Sequence, residues 1–204
     1  MDISINKKDT ENKNKIKLFV DSFGDSEETA KEFFSCDDII TVTEYVGNRL
    51  AAMASLVPIY AQNGMHCQLE QMSSIVRKIC GYYIYGVCVD KDFRGMGLFP
   101  LIMKKTEAEA LERNADFVCL IPADSQLETT YRKWGYNVEI ENPAEPNYLG
   151  KRIFVDSPSF RDFALPTETV TDSKKMCGLM KVFNKKIFAP SNREFAFGDF
   201  MGDI

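Results

Sequence analysis

Residues 82–105 read YYIYGVCVDKDFRGMGLFPLIMKK, and the fold turns on how that run divides. Tyr82–Val89 is apolar or aromatic on both alternations apart from Gly86, the pattern of a central strand with both faces covered. From Phe99 the period changes: Phe99, Ile102, Met103, Thr106 and Ala110 step along one face of a helix. Pro100 is tolerated because it lies in the first turn. Between strand and helix, Arg94-Gly95-Met96-Gly97-Leu98-Phe99 offers side-chain-free positions where a helix begins. Unpaired main-chain N–H groups and the positive end of the helix dipole can there face an anion, and a phosphate suits the place. Two glycines before a helix serve a tight packing turn equally well. The spacings of other phosphate binders are missing, since neither Gly-Lys-Ser/Thr nor a complete G-x-G-x-x-G is present.

Upstream, Ile16, Phe19, Val20 and Phe23 lie on one helical face that Gly24 ends. Asp25, with Glu28 three residues on, reads as a capping box for a second short helix bearing Ala30, Phe33 and Phe34. Ile39–Val46 and Arg49–Ala61 are apolar or β-branched runs joined by Gly47-Asn48, which predicts a hairpin. Residues 62–80 stay open: Leu69, Met72, Ile75, Val76 and Ile79 fit a helical stripe, whereas SSIVRKIC suits a strand. Downstream, Phe117–Ala123 reads as another buried strand. Leu127, Tyr131 and Trp134 line a short helix that Gly135 terminates, and Tyr136–Ile140 follows as a strand. Behind a loop-rich stretch with Pro143, Pro146, Pro158 and Pro166, Met176–Phe183 is one more alternating candidate. No repeat or linker interrupts the chain, so one α/β domain over residues 1–204 is expected, with residues 141–204 packed on a motif-bearing core at 15–140.

Composition narrows the function classes. In 204 residues, 45% hydrophobic content supplies a core and rules out a disordered or fibrous chain. Thirty acids against 25 bases give a net charge of −5, which disfavours phosphate-backbone binding, and no nucleic-acid partner is expected. The polar start MDISINKKDTENKNKIKLF and the lack of any uncharged 18-residue apolar run predict a cytoplasmic protein without a membrane span. The six cysteines are scattered without a CxxC pair, and the one histidine, His66, sits beside Cys67. Reduced thiols and no metal site follow.

The loop Arg94–Phe99 has a companion in PADSQLETTYRKWGY at the end of the next strand. Together the two stretches resemble the GNAT superfamily of acyl-CoA-dependent N-acetyltransferases. That family's pyrophosphate motif runs Gln or Arg, two residues, Gly, one residue, Gly or Ala, and its second signature is a helix end of aliphatic-Tyr-x-x-x-Gly-Phe/Tyr. Arg94, Gly97 and the run Tyr131–Tyr136 match; Phe99 departs from the small last residue of the loop, and Thr130 from the aliphatic position. VDSFGDSEETAKEFF also looks like the first two helices of a bacterial branch, so the likeness covers Lys15 to about Ile140.

The resemblance implies a mixed, mostly antiparallel sheet flanked by helices and splayed between the strands at 82–89 and 117–123, with pantetheine in the gap. It implies an enzyme that moves the acetyl group of acetyl-CoA, without a metal, to an amine of a small molecule or peptide by direct attack in a ternary complex. In that scheme the backbone at Val87, Cys88 and Val89 carries pantetheine and polarises the carbonyl. Arg94, Gly95, Met96, Gly97, Leu98 and Phe99 hold the pyrophosphate, and Tyr131 protonates the departing thiolate. Asp124 stands where many relatives place a cofactor-contacting asparagine. Candidates for a general base are Glu44, Glu70, Asp90 and Asp124, although acids of this kind are more often solvated or structural. The rival reading is a non-catalytic acyl-CoA-binding or regulatory module. Residues 141–204 are open to three roles: a wall of the acceptor pocket, a cover for the sheet edge, or a homodimer contact.

Overall fold

The computed structural model describes residues 2–63, 79–141, 151–157, 160, 178–185 and 195–197. Along the chain run α1 (Asp2–Phe23), α2 (Glu27–Ser35), β1 (Ile40–Val46), β2 (Arg49–Asn63), β3 (Ile79–Val89) and α3 (Leu98–Glu112). There follow β4 (Phe117–Leu120), α4 (Ser125–Lys133), β5 (Val138–Glu141), β6 (Lys151–Val155), β7 (Gly178–Val182) and β8 (Phe195–Phe197). The strands form one mixed sheet in the order β1-β2-β3-β4-β7-β5-β8-β6, and β6 also pairs with β2. Among the described ladders, β1–β2, β2–β6, β4–β7 and β5–β7 are antiparallel, while β3–β4, β5–β8 and β6–β8 are parallel. With the four helices α1–α4 among the described residues, this is the expected mixed α/β fold. The chain divides into two compact units, residues 1–57 with 84–109 and residues 58–83 with 110–204.

In the first unit, α1 and α2 meet through aromatic rings. Phe19 stacks on Phe33 at 5.6 Å, and Tyr85 of β3 lies 5.2 Å from Phe33. Gly86 carries a positive φ of 62°, and a Cβ there would come within 3.1 Å of the Phe19 ring. Torsion and crowding therefore both require glycine at this point of the strand. The hairpin β1–β2 runs from Ile40↔Leu56 to Val46↔Arg49, with an irregularity at Glu44/Tyr45. Two expectations shift. The first helix begins at Asp2 rather than near Ile16. The cap of α2 is Ser26, whose Oγ accepts the Thr29 N–H at 3.0 Å, and not Asp25. Gly24 ends α1 in a left-handed turn, its N–H donating to the Val20 carbonyl, and Ser26 is the extended residue that leads into the next helix.

In the second unit, the β3–β4 ladder takes in Gly81↔Phe117, Tyr82↔Val118 and Tyr83↔Cys119. A Cβ on Gly81 would lie 2.7 Å from both the ring and the carbonyl oxygen of Phe117, so the two backbones meet at a distance only glycine allows. Beside it, Asp116 is almost fully buried and joins three segments. Its N–H donates to the Cys80 carbonyl, its carboxylate accepts from the Cys80 N–H and from Asn184 Nδ2, and its carbonyl accepts from Phe183 and Asn184. The strand expected at Phe117–Ala123 stops at Leu120, because Pro122 has no N–H for a ladder and Ile121 turns outward. Tyr136 and Asn137 precede β5 rather than open it. The tail candidate becomes β7, seated between β4 and β5. Strands β6 and β8 were not expected. The open segment 62–80 ends as strand at Ile79 and Cys80, and its residues 64–78 lie outside the described ones.

Candidate active site

The first unit holds the strand end and the loop. Cys88 is buried, and burial pushes its thiol pKa up to about 12, with the nearby Ser22 side chain and Met53 backbone acting in the opposite direction. It is a packing residue here, not a thiolate nucleophile. Val87 and Val89 are half-buried on either side of it. After Asp90 and a single 3-10 turn at Lys91–Phe93, the chain enters the loop. Gly95 and Gly97 have φ of 81° and 76°, and nothing lies within 4 Å of a Cβ built on either. Backbone torsion alone therefore demands glycine, and the space above the main chain is open. Leu98 is buried and anchors the start of α3, Phe99 is half-buried, and Met96 is 61% exposed. No acidic side chain stands in the first turn of α3, so its unsatisfied N–H groups and positive dipole end meet no competing carboxylate. This arrangement suits an anion.

Arg94 lies on the surface of the loop, its Nε donating to the Val89 carbonyl at 3.4 Å. It also lines a cleft of about 500 Å³ together with Lys17, Arg49, Asp90, Lys91 and Asp92. Most of the charge there is internally matched. Arg49 binds Asp90 at 3.1 Å and Asp92 at 2.8 Å, holds the Asp92 carboxyl below its usual range, and lies 4.8 Å above the Phe93 ring. Lys17 pairs with Asp21.

In the second unit, Asp124 and Tyr131 share α4. Asp124 is its N-cap, accepting the Leu127 N–H at 2.7 Å. A nine-residue helix is marginal alone; the cap and the burial of Tyr131 hold it. Tyr131 is 5% exposed, and its ring packs against Trp134 at 6.0 Å and Tyr136 at 5.7 Å. Burial, then the charge of Asp124, push the Tyr131 phenol up to about 12. At neutral pH it is a proton donor held firmly in its protonated form.

The acids offered as bases have other employment. Glu44 forms an ion pair with Lys105. Asp90 accepts the Asp92 N–H at 2.9 Å besides binding Arg49, and Asp124 caps α4. Glu70, His66 and Cys67 lie outside the described residues. Among the described residues no three His, Cys, Asp or Glu side chains converge as metal ligands, and no helix is long and apolar enough to cross a membrane. Asp116 and the Arg49 pairs went unread in the sequence, because their partners lie far along the chain.

No protein-family model and no curated protein matches the chain. Solved structures do. A GNAT family N-acetyltransferase (YhbS) from Escherichia coli, in complex with CoA, superposes with a TM-score of 0.58 at 10% identity, covering 93% of this chain and 85% of that one. The ribosomal-protein-S18-alanine N-acetyltransferase from Escherichia coli gives 0.51 at 13% identity, covering 85% and 88%. A conserved protein of unknown function from Enterococcus faecalis V583, described as a probable N-acyltransferase, gives 0.52 at 18% identity over 65% of this chain, which spans 31% of that one. The fold is that of the GNAT N-acetyltransferases.

Proposed function

We propose that the chain is an acetyl-CoA-dependent N-acetyltransferase acting on an amine by direct attack in a ternary complex. The observation that carries this reading is the Arg94–Phe99 loop: two left-handed glycines with open space above them, leading into a 15-residue helix whose first turn has no acid. Main-chain donors grip a diphosphate without relying on side chains, so Phe99 in place of a small residue leaves the grip intact. Val87–Val89 present strand backbone to the pantetheine arm. Bonding balances simply: the amine nitrogen forms a bond to the acetyl carbon, the carbon–sulfur bond breaks, and the sulfur takes a proton from the Tyr131 hydroxyl. The surplus ammonium proton passes to water, since Glu44, Asp90 and Asp124 are engaged elsewhere.

The fit of Tyr131 to its role rests on its protonation. A phenol held near 12 stays protonated across neutral pH, so it keeps a proton to give to the departing sulfur. Residues 1–204 act as one folding domain in this reading, which a single cooperative unfolding transition would support. Calorimetry with CoA, followed by thiol release from acetyl-CoA with a panel of amines, tests the whole. Binding with turnover is expected. Binding without turnover for any amine would leave a non-catalytic module, and no heat at high protein concentration would overturn the reading.

A further inference from the structure

Arg49 opens β2 directly behind the hairpin turn, opposite Val46 in the ladder. Two residues on, the Ala51 carbonyl accepts the Asp90 N–H at 2.8 Å, which ties the end of β3 to the same strand. From that base one side chain reaches three residues of the turn that follows β3. The guanidinium donates through Nη2 to Asp90 Oδ2 at 3.1 Å and to Asp92 Oδ2 at 2.8 Å, and its central carbon lies 4.8 Å from the centre of the Phe93 ring. Asp90 is engaged a second time: its Oδ1 accepts the Asp92 N–H at 2.9 Å and so caps the single 3-10 turn Lys91–Phe93. The turn closes on Arg94, whose N–H donates to the Lys91 carbonyl, and Gly95 follows at once.

The Arg49 side chain is 57% exposed, and ion pairs in such a setting add little to the stability of a fold. Its contacts matter for what they hold. Gly95 and Gly97 have wide conformational freedom, and ordering a loop is a cost that a ligand otherwise meets on binding. A donor array made of main chain is ready for its ligand only when both of its ends are fixed. Buried Leu98 fixes the far end, at the start of α3. We propose that Arg49 is a positioning residue for the coenzyme: by holding Asp90, Asp92 and Phe93 together it fixes the near end, the turn from which the Arg94–Phe99 loop departs. The ligand's identity rests on the acetyltransferase reading, whereas the clamp is testable without any ligand.

The test compares the full-length wild type with Arg49→Ala, Arg49→Lys and Asp92→Ala. Amide hydrogen exchange without ligand reads the clamp: the Asp92 and Phe93 N–H groups should exchange about tenfold faster in Arg49→Ala, with the β4–β7 ladder unchanged. Calorimetry with CoA should then show binding weakened about tenfold in Arg49→Ala. Arg49→Lys should weaken it about fivefold, since an ammonium keeps the charge but lacks the planar fork that joins two carboxylates and stacks on a ring. Asp92→Ala separates position from charge. Removing a carboxylate near an anionic ligand would tighten CoA if charge alone mattered; loss of the clamp should weaken it about threefold. Thiol release should place the Arg49→Ala loss in KM for acetyl-CoA, with kcat kept within about twofold. Unaltered exchange at Asp92 and Phe93, wild-type affinity in Arg49→Lys, tighter CoA in Asp92→Ala, or a loss confined to kcat each overturns the positioning role. A wild type that gives no heat with CoA overturns the acetyltransferase reading and with it the coenzyme's part here, while the exchange result still decides the clamp.

Discussion

The Arg94–Phe99 loop and helix α4 were both recognised from a few letters, yet they are opposite kinds of structure. The loop is exposed, with glycines fixed by torsion and nothing crowding them; on the proposed reading, what it offers a ligand is its main chain. Helix α4 offers a side chain, and Tyr131 is sealed among aromatic rings with its proton held tightly. The loop should accordingly forgive side-chain changes and punish backbone ones, while α4 should do the reverse.

The hardest blow to that contrast would come from Tyr131→Phe. It should lower the rate of thiol release at least about a hundredfold while leaving CoA affinity within about twofold, as removal of a general acid does. Equal losses in both would mean that the ring, not its proton, matters. The same variant reports in alkali. The folded-state pKa of Tyr131 lies near 12, above the unfolded value near 10. Its contribution is therefore complete below pH 10 and is lost as pH rises through 12. Urea unfolding at pH 8 and pH 12 should show wild type losing about 2 kcal/mol more than Tyr131→Phe over that span.

On the loop, Gly97→Val should cost about 1–2 kcal/mol of stability from the left-handed torsion and weaken CoA about tenfold in calorimetry. Met96→Ala one residue away should leave both unchanged within error, and a loss there would show side-chain recognition after all. The smallest effect belongs to the cap: Asp124→Ala should lower stability by about 1 kcal/mol in denaturant unfolding, while Asp124→Asn should not.

What could be read in advance followed from how far apart partners lie in the chain. The hairpin at Gly47-Asn48, the change of period at Arg94–Phe99 and the stop at Gly135 are local events, and the letters carry them. Strand ends depend on the partner strand. Phe117–Ala123 is apolar throughout, yet Pro122 cannot join a ladder and Ile121 faces out. Nothing near Lys151 or Phe195 advertises a strand; β6 and β8 exist because they pair with each other and with β2 and β5. Asp116 looked like any surface acid, and only Cys80 and Asn184, 36 and 68 residues away, reveal its use. At the site, Tyr131 came from a motif, whereas the engagement of Glu44 and Asp90 needed Lys105 and Arg49 in place.

The contact between Gly81 and Phe117 has a further bearing on how this chain can change over generations. Any residue with a side chain at 81 must push β3 off β4, and every strand hung in sequence from β4 would inherit the displacement. Drift in this protein should therefore be channelled to exposed segments such as the glycine loop, where side chains can change without disturbing that joint.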